Sequence, residues 1–295
     1  RLDIQHQMWT LAVGDLYLPE FKDKVEQAMR FEDKPAVLDV GCGSGIWSIE
    51  IARRFPRAEV VGLDLTPPTR RDFPPNFSFI LHNLVNGLPS GYKTRFDIIH
   101  CRTVCQHASQ LDIIVPDPQE LVDLMADCLK PGGLLFIGDI ELIVYDQNRK
   151  LLKPFVYTPS LSIEENLENK EGLSWFSGWF IVAGRVTRSP MYRPPPDMVK
   201  ESRLLGTPVV KDLWMPVGWE GEDIKNGKEI GDLAMKNLLE IHGLSRGLLA
   251  MGDDIPSVVR DALIDRGLQE SQSRKVYVHA WYVVAARGRG RDSRL

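Results

Sequence analysis

Between Val37 and Gly45 the chain reads Val-Leu-Asp-Val-Gly-Cys-Gly-Ser-Gly, and an acid, Asp64, follows nineteen residues after Gly45. Glycines at 41, 43 and 45 carry no Cβ, so the backbone there can adopt left-handed torsions and let a ligand lie directly on it. An acid at the tip of the following strand suits the two hydroxyls of a ribose. The spacing is G-x-G-x-G, whereas a dinucleotide fingerprint needs a glycine at the position of Ile46. The loop therefore favours a ribose joined to an amino-acid moiety over a pyrophosphate.

Such a loop works only at the carboxyl end of a parallel strand, and the flanking sequence provides one. Short apolar runs at Ala36–Val40, Glu59–Leu65, Phe77–Leu81, Phe96–Cys101 and Leu134–Ile140 alternate with helix-period segments. Ile46, Ile49, Ile51, Ala52 and Phe55 recur at helical spacing just after the glycines, which makes the first two runs a βαβ unit. Asp117 reads as an N-cap, with Pro118 in the first turn, Glu120 three residues after the cap, and Leu121, Leu124, Met125, Cys128 and Leu129 on one side. Lys130-Pro131-Gly132-Gly133 should stop that helix and turn into the next strand. Leu213–Val217 and Val276–Ala285 read as later strands, Lys228–Leu249 and Pro256–Leu268 as helices.

These elements predict an α/β fold: a doubly wound, seven-stranded, mostly parallel sheet with a helical cap or insertion. One domain over residues 1–295 is expected. Residues 1–34 would form a helical segment over the cofactor site, 35–141 the cofactor-binding core and 142–212 the substrate cap. Residues 213–286 would complete the sheet, and 287–295, rich in Arg and Gly, would be a disordered tail.

Four ordered motifs carry a family resemblance: the glycine loop, Val60-Val61-Gly62-Leu63-Asp64, Phe96-Asp97-Ile98-Ile99-His100, and Leu129-Lys130-Pro131-Gly132-Gly133 before a strand. The chain resembles the class I S-adenosylmethionine-dependent methyltransferases, which are Rossmann-like. The opening Arg1-Leu2-Asp3-Ile4-Gln5-His6-Gln7-Met8-Trp9, Ile99-His100-Cys101-Arg102 and Pro216-Val217-Gly218-Trp219 are similar to the fungal LaeA-like members. The resemblance implies S-adenosyl-L-methionine as cofactor and S-adenosyl-L-homocysteine as product. It places Asp39, Gly41, Cys42 and Gly43 on the methionine side, Asp64 and Leu65 at the ribose and adenine, and Cys101 in the pocket lining. Where the family usually has an Asp for adenine, this chain has Asn83, beside the backbone of Leu84; an amide oxygen can still accept from the exocyclic amine.

Methyl transfer is an in-line displacement that mainly requires alignment and exclusion of water. Where a proton must leave the acceptor, His is the usual base. His107, in the loop after the fourth strand, is the candidate, against a capping or solvated role; His100, His242 and His279 read as structural. Arg102 would anchor an acidic acceptor or pair with Asp112 or another carboxylate. His6, with Gln5 and Trp9, would close over the ligands or simply pack a helix on the sheet. Trp175 and Trp179, four residues apart, would form an aromatic acceptor wall or pack the cap. Cys101 and Cys105 read as lining or core rather than nucleophiles. Asp139 and Glu141 share a strand face, but no metal is expected.

Composition narrows the function classes. With 295 residues, 43% hydrophobic and 26% charged, the chain is an ordinary folded protein rather than a disordered or disulfide-stapled one. A net charge of −4 gives no expectation of nucleic acid binding. The four cysteines show no zinc spacing, and the apolar stretch Trp175–Gly184 is about half of the ~20 residues a membrane span needs. No secretion signal is read at the start, so the expectation is a cytoplasmic protein, with the nucleus as alternative.

The leading reading is methylation of a small-molecule acceptor, chiefly at oxygen, in fungal secondary metabolism. The alternative is a LaeA-like cofactor-binding regulator acting through a protein partner; a third is the same fold used for a non-methylating reaction. Oligomeric state is not legible. Asp64→Ala should cost about 1–3 kcal/mol of cofactor affinity by leaving ribose hydroxyls without their acceptor; calorimetric titration checks this, and unchanged affinity would remove Asp64 from the ribose.

Overall fold

The structure is a computed structural model that describes residues 1–68, 70, 72–105, 117–168, 172–186, 193–249 and 255–288. Seven strands form the main sheet: β1 (Ala36–Val40), β2 (Glu59–Asp64), β3 (Phe77–Leu81), β4 (Phe96–Arg102), β5 (Leu129–Asp146), β6 (Val209–Val217) and β7 (Val276–Ala286). Their spatial order is β3-β2-β1-β4-β5-β7-β6. The first five are mutually parallel, and β7 runs antiparallel between β5 and β6. The strand order reverses between β1 and β4, which is where doubly wound sheets open a crevice for ligands. β1 is buried along its whole length, as a central parallel strand covered on both faces must be.

Two apolar layers flank the sheet. One is built with α1 (Leu2–Val13), α2 (Lys22–Phe31), α3 (Ile46–Arg54), α6 (Trp175–Val186), α8 (Gly227–Leu249) and α9 (Ser257–Ser273), through residues such as Trp9, Met29, Trp47, Phe136, Phe176, Ile230 and Leu263. The other sets α4 (Pro118–Cys128) and α7 (Pro195–Glu201) against Leu38, Ile99, Ile137 and Val283. A short α5 (Ile163–Leu167) and a two-residue parallel pairing of Lys153–Pro154 with Leu173–Ser174 complete the cap. Asp117 does cap α4, its side chain accepting from the Gln119 N–H at 2.8 Å. Away from the ligand end, buried Asp97 accepts from the Ala36 N–H at 2.8 Å and from Lys130 Nζ at 2.7 Å, which aligns the starts of β1, β4 and β5.

Several element boundaries differ from expectation for readable reasons. β5 does not begin at Leu134; it begins at Leu129 and takes the Lys-Pro-Gly-Gly turn into the strand as a register shift opposite Phe96 and Ile98. Gly132 and the backbone of Arg287 close that irregularity, with Gly132 N–H donating to Arg287 O and Arg287 N–H to Gly133 O. Arg287, expected in a loose tail, is thereby held, and its guanidinium donates to the carbonyls of Asp127 and Leu129. β6 starts four residues earlier than its apolar signal because Val209–Asp212 are exposed on the sheet edge, where side chains carry no burial pattern. α9 extends to Ser273 through a polar last turn.

Among the described residues no helix is long and apolar enough to cross a membrane. Gly231 in α8 accepts from the Gly218 N–H, and a Cβ at 231 would stand 1.9 Å from the Trp219 carbonyl oxygen. Backbone cannot yield as a side chain does, so Gly231→Ala should destabilise by at least about 1–3 kcal/mol. Gly243→Ala in the same helix meets open space and should be neutral or stabilising by up to about 1 kcal/mol. Urea unfolding of the two variants checks the contrast.

Candidate active site at the carboxyl ends of the strands

The glycine loop leaves β1 and enters α3 with left-handed torsions at all three glycines, φ being +69° at Gly41, +55° at Gly43 and +75° at Gly45. The Cys42 N–H donates to Leu63 O and the Gly45 N–H to Cys42 O, so the loop is pinned to β2 while its glycine faces stay clear of side chains of their own. Asp64 ends β2 with one carboxylate oxygen accepting from the Gly43 N–H at 2.8 Å and the other from the Thr66 N–H at 3.1 Å. The acid expected at the ribose thus also sets the loop. Leu65, half-exposed, follows it, and Asn83 uses its side-chain oxygen to accept from the Val85 N–H at 3.0 Å, capping a short turn that starts at Leu84. That bond occupies one of the two lone pairs of the amide oxygen.

Beneath the loop, buried Asp39 binds two elements at once. One oxygen accepts from Ser48 Oγ of α3 at 2.5 Å, and the other faces His100 Nδ1 of β4 at 2.7 Å. Trp47 stacks on the imidazole, with centroids 3.8 Å apart and planes at 8°. Burial depresses the pKa of His100, more than the neighbouring Asp39 charge raises it. The ring is therefore neutral, donates from Nδ1, and leaves Nε2 without a protein partner. His100 is a structural member of the site, in agreement with its sequence reading.

Next along β4, Arg102 reaches α1. Its Nη2 donates to His6 Nδ1 at 3.1 Å, and the guanidinium lies 5.8 Å from the Trp9 ring. A nitrogen that accepts from Arg carries no proton, so His6 holds its proton on Nε2, which lies 3.3 Å from Glu50 of α3. The hydrogen bond from His6 then depresses the Glu50 pKa. Burial lowers the pKa of Arg102, opposed chiefly by the Asp39 charge. Asp3 pairs with Arg70 at 2.9 Å and Leu2 lies over Gly43, so α1 is laid across the glycine loop by three separate contacts. Val104, two residues past the end of β4, covers Gly41.

The remaining sequence candidates divide. Cys101 and Cys105 are buried and adjacent; their mutual contact, then burial, raises the Cys101 pKa, and burial raises that of Cys42, which keeps Cys101 and Cys42 as unreactive thiols. Trp175 stacks on Phe155 with centroids 4.1 Å apart and carries Arg266 on its ring, while Trp179 is sealed between Phe176 and His242. Both rings are occupied by packing of the cap on α8 and α9 rather than turned to the loop. His107 and Asp112 lie outside the described residues. His279, read as structural, is buried between two carboxylates, 3.1 Å from Glu141 and hydrogen-bonded through Nε2 to Asp212 at 3.2 Å. Sequence gave no signal for this grouping, because three strands meet there from positions far apart in the chain. Among the described residues no group of His, Cys, Asp and Glu is arranged to hold a metal.

The left-handed glycines, the acid bonded to their loop and the buried carboxylate beneath form a Cβ-free cradle that fits an adenosyl amino acid. A family model described as a methyltransferase domain matches residues 16–178, more than half of the chain. The chain belongs to this methyltransferase-domain family. S-adenosylmethionine is its cofactor. Over 146 residues this methyltransferase domain is 35% identical to the secondary metabolism regulator laeA of Coprinopsis cinerea, a match covering 49% of this chain and 34% of that protein. It is 34% identical over 105 residues to methyltransferase str2 of Strobilurus tenacellus, covering 36% of this chain and 35% of that protein. These alignments span about a third of the length of either relative. A solved phosphoethanolamine N-methyltransferase 2 from Haemonchus contortus, in complex with phosphomonomethylethanolamine and S-adenosylhomocysteine, is 14% identical with a TM-score of 0.47, covering 96% of this chain and 56% of that one.

The neutral His100 gives the methyltransferase a signed pH dependence. Its folded pKa lies below the ordinary 6.5, so the unfolded chain binds the extra proton first as pH falls. The His100 contribution is fully present above about pH 6.5 and is lost on acidification, with a slope of at most about 1.4 kcal/mol per pH unit. Urea unfolding at pH 7.5, 6.5 and 5.5 (about one unit apart) should show this loss, and His100→Gln should flatten it.

Proposed function

We propose that the chain catalyses transfer of a methyl group from S-adenosylmethionine to a hydroxyl of a small-molecule acceptor in secondary metabolism. The observation that carries this reading is the pairing of the glycine cradle with a cover of α1, because a transferase must bind the cofactor and shut water away from the reacting oxygen. When bound, S-adenosylmethionine supplies a methyl group activated by a sulfonium. Asp39, Gly41, Cys42 and Gly43 hold the methionine side, Asp64 and Leu65 the ribose and adenine, with Asn83 and the backbone of Leu84 beside the base. His6 and Arg102 fix α1 over the loop. The similarity to methyltransferase str2 supports a methyltransferase.

A second reading has its own observation. The same domain is 35% identical to a protein named as a secondary metabolism regulator, and a regulator would keep the cofactor cradle while acting through a protein partner. Co-purification of the chain with one defined partner, and its position in nucleus or cytoplasm, separates the two.

Calorimetric titration with S-adenosylmethionine, S-adenosylhomocysteine and NAD tests the shared basis. Micromolar binding of both adenosyl ligands with none of NAD is the expected result. Binding of NAD, or of none of the three, overturns the reading of the glycine loop.

A further inference from the structure

We infer that Arg102 is the seat of a ligand carboxylate, the one at the amino-acid end of the adenosyl cofactor, and that His6 on α1 aims it. This rests on the reading of the glycine loop above and adds an anchor outside that loop, held by a helix that precedes the matched residues 16–178.

Strand register places the arginine beside the loop. Val40 of β1 pairs with Cys101 of β4, so Arg102, one residue on, is level with the start of the glycine loop and one strand spacing of about 4.8 Å from it. Alternation puts its side chain on the sheet face that carries His100 and Asp39. Gly138 of β5 lies opposite, and a Cβ there would stand 3.3 Å from Arg102 Cγ, 3.2 Å from Trp9 Cζ3 and 3.2 Å from Tyr282 Cδ2. The missing Cβ lets the stem of Arg102 lie on β5 beside two aromatic rings. Thr103, the next residue, takes φ +53°, a left-handed torsion that β-branched residues rarely adopt. Its N–H donates to Gly138 O at 2.8 Å and its Oγ1 to Arg102 O at 2.7 Å, which holds the turn. Strain of this kind clusters at ligand clamps.

The guanidinium so placed is under-used. Of its five N–H donors, one is given, from Nη2 to His6 Nδ1 at 3.1 Å. Among the described residues it makes no other hydrogen bond and no ion pair. The two carboxylates whose charge reaches it are engaged elsewhere, Asp39 with Ser48 and His100, and Glu50 opposite His6. Trp9 Nε1 and Tyr282 Oη, on the rings beside its stem, are buried donors without a partner. Arg102, Gly41 and Gly43 are each half-buried, so the arginine and the loop both keep surface open to solvent. A partly desolvated cation with free N–H groups is completed by an anion, and a planar carboxylate matches the guanidinium fork.

The strand order selects the cofactor's carboxylate. The sheet runs β3-β2-β1-β4, with Asn83 just past β3 and Asp64 at the end of β2. With adenine and ribose on that side, the amino-acid chain joined to the ribose through sulfur is left the direction across β1 toward β4. β2 and β4 lie two spacings apart, roughly 10 Å, and the arm of Arg102 shortens the gap. His6 fixes one edge of the fork, since its Nδ1 accepts from Nη2 while its Nε2 lies 3.3 Å from Glu50 of α3. The remaining edge is free for the carboxylate.

The test is calorimetry on the full chain with S-adenosylmethionine, S-adenosylhomocysteine and decarboxylated S-adenosylmethionine, which keeps the ammonium and the sulfonium and lacks only the carboxylate. Binding of none of them strikes the glycine-loop reading itself, and this inference with it. The wild-type chain should bind S-adenosylmethionine about 10–100-fold more tightly than the decarboxylated form. Arg102→Gln should weaken S-adenosylmethionine and S-adenosylhomocysteine by about that factor and change the decarboxylated form by less than about threefold. Arg102→Lys should fall between, because it keeps the charge without the fork. The wild-type comparison needs no variant: equal affinity for the two sulfonium ligands overturns the inference. A preference that survives in Arg102→Gln also overturns it, and returns the arginine to an acceptor. Equal loss of all three ligands in that variant overturns it too, and makes Arg102 only the tie to α1. These last three results leave the cofactor site standing.

Discussion

A carboxylate sealed at the end of β1 has to be answered by donors from its neighbours, and the ligand end of this fold follows from how Asp39 is answered. Its two oxygens take Ser48 from α3 and His100 from β4. Those elements flank the loop that runs from β1 to α3, so satisfying one buried anion fixes the loop's floor, its exit helix and the next strand together. Hydrogen bonds to a charged group contribute about 1.5–3 kcal/mol each, and leaving the carboxylate unanswered costs more. The stack of Trp47 on His100 fills the space that a freely turning imidazole would need. The glycines can then take left-handed torsions above a base that does not shift.

The same logic carries outward through Arg102. A half-buried guanidinium needs partners, and here the partner is His6 on α1, whose other nitrogen faces Glu50. An arginine on β4, a histidine on α1 and a glutamate on α3 thus form one chain of polar contacts. The amino-terminal helix is held across the loop by polar chemistry as well as by Trp9, which is wholly buried.

How much of this was legible in the sequence divides along physical lines. Val37–Val40 and Phe96–Cys101 announce buried parallel strands because both faces are apolar, and the glycines with Asp64 announce the loop because few other residues tolerate those torsions. Asp117 announces a helix start by its own side chain. What stayed hidden was set by tertiary register. Trp175 and Trp179 have the spacing of an aromatic wall, but only the packing of α6 on α8 and α9 decides which way the rings face. Asn83 is expected near the base, and its oxygen accepts from the Val85 N–H, a choice that local composition does not reveal. His279 lay in an apolar strand and read as core, since neither Glu141 nor Asp212 is near it in sequence.

The antiparallel strand β7 explains why the second cluster exists where it does. A purely parallel sheet would end each strand at the same level, with ligands held by loops alone. Here β5 continues past the end of β4 to Asp146, and β7 and β6 pair alongside that extension, so side chains project from rigid strands above the level of the glycine loop. Groups on strands hold position better than groups on loops. The register shift between Ile140 and Val144 is the local device, because it turns Glu141 out of simple alternation and onto the rung of His279.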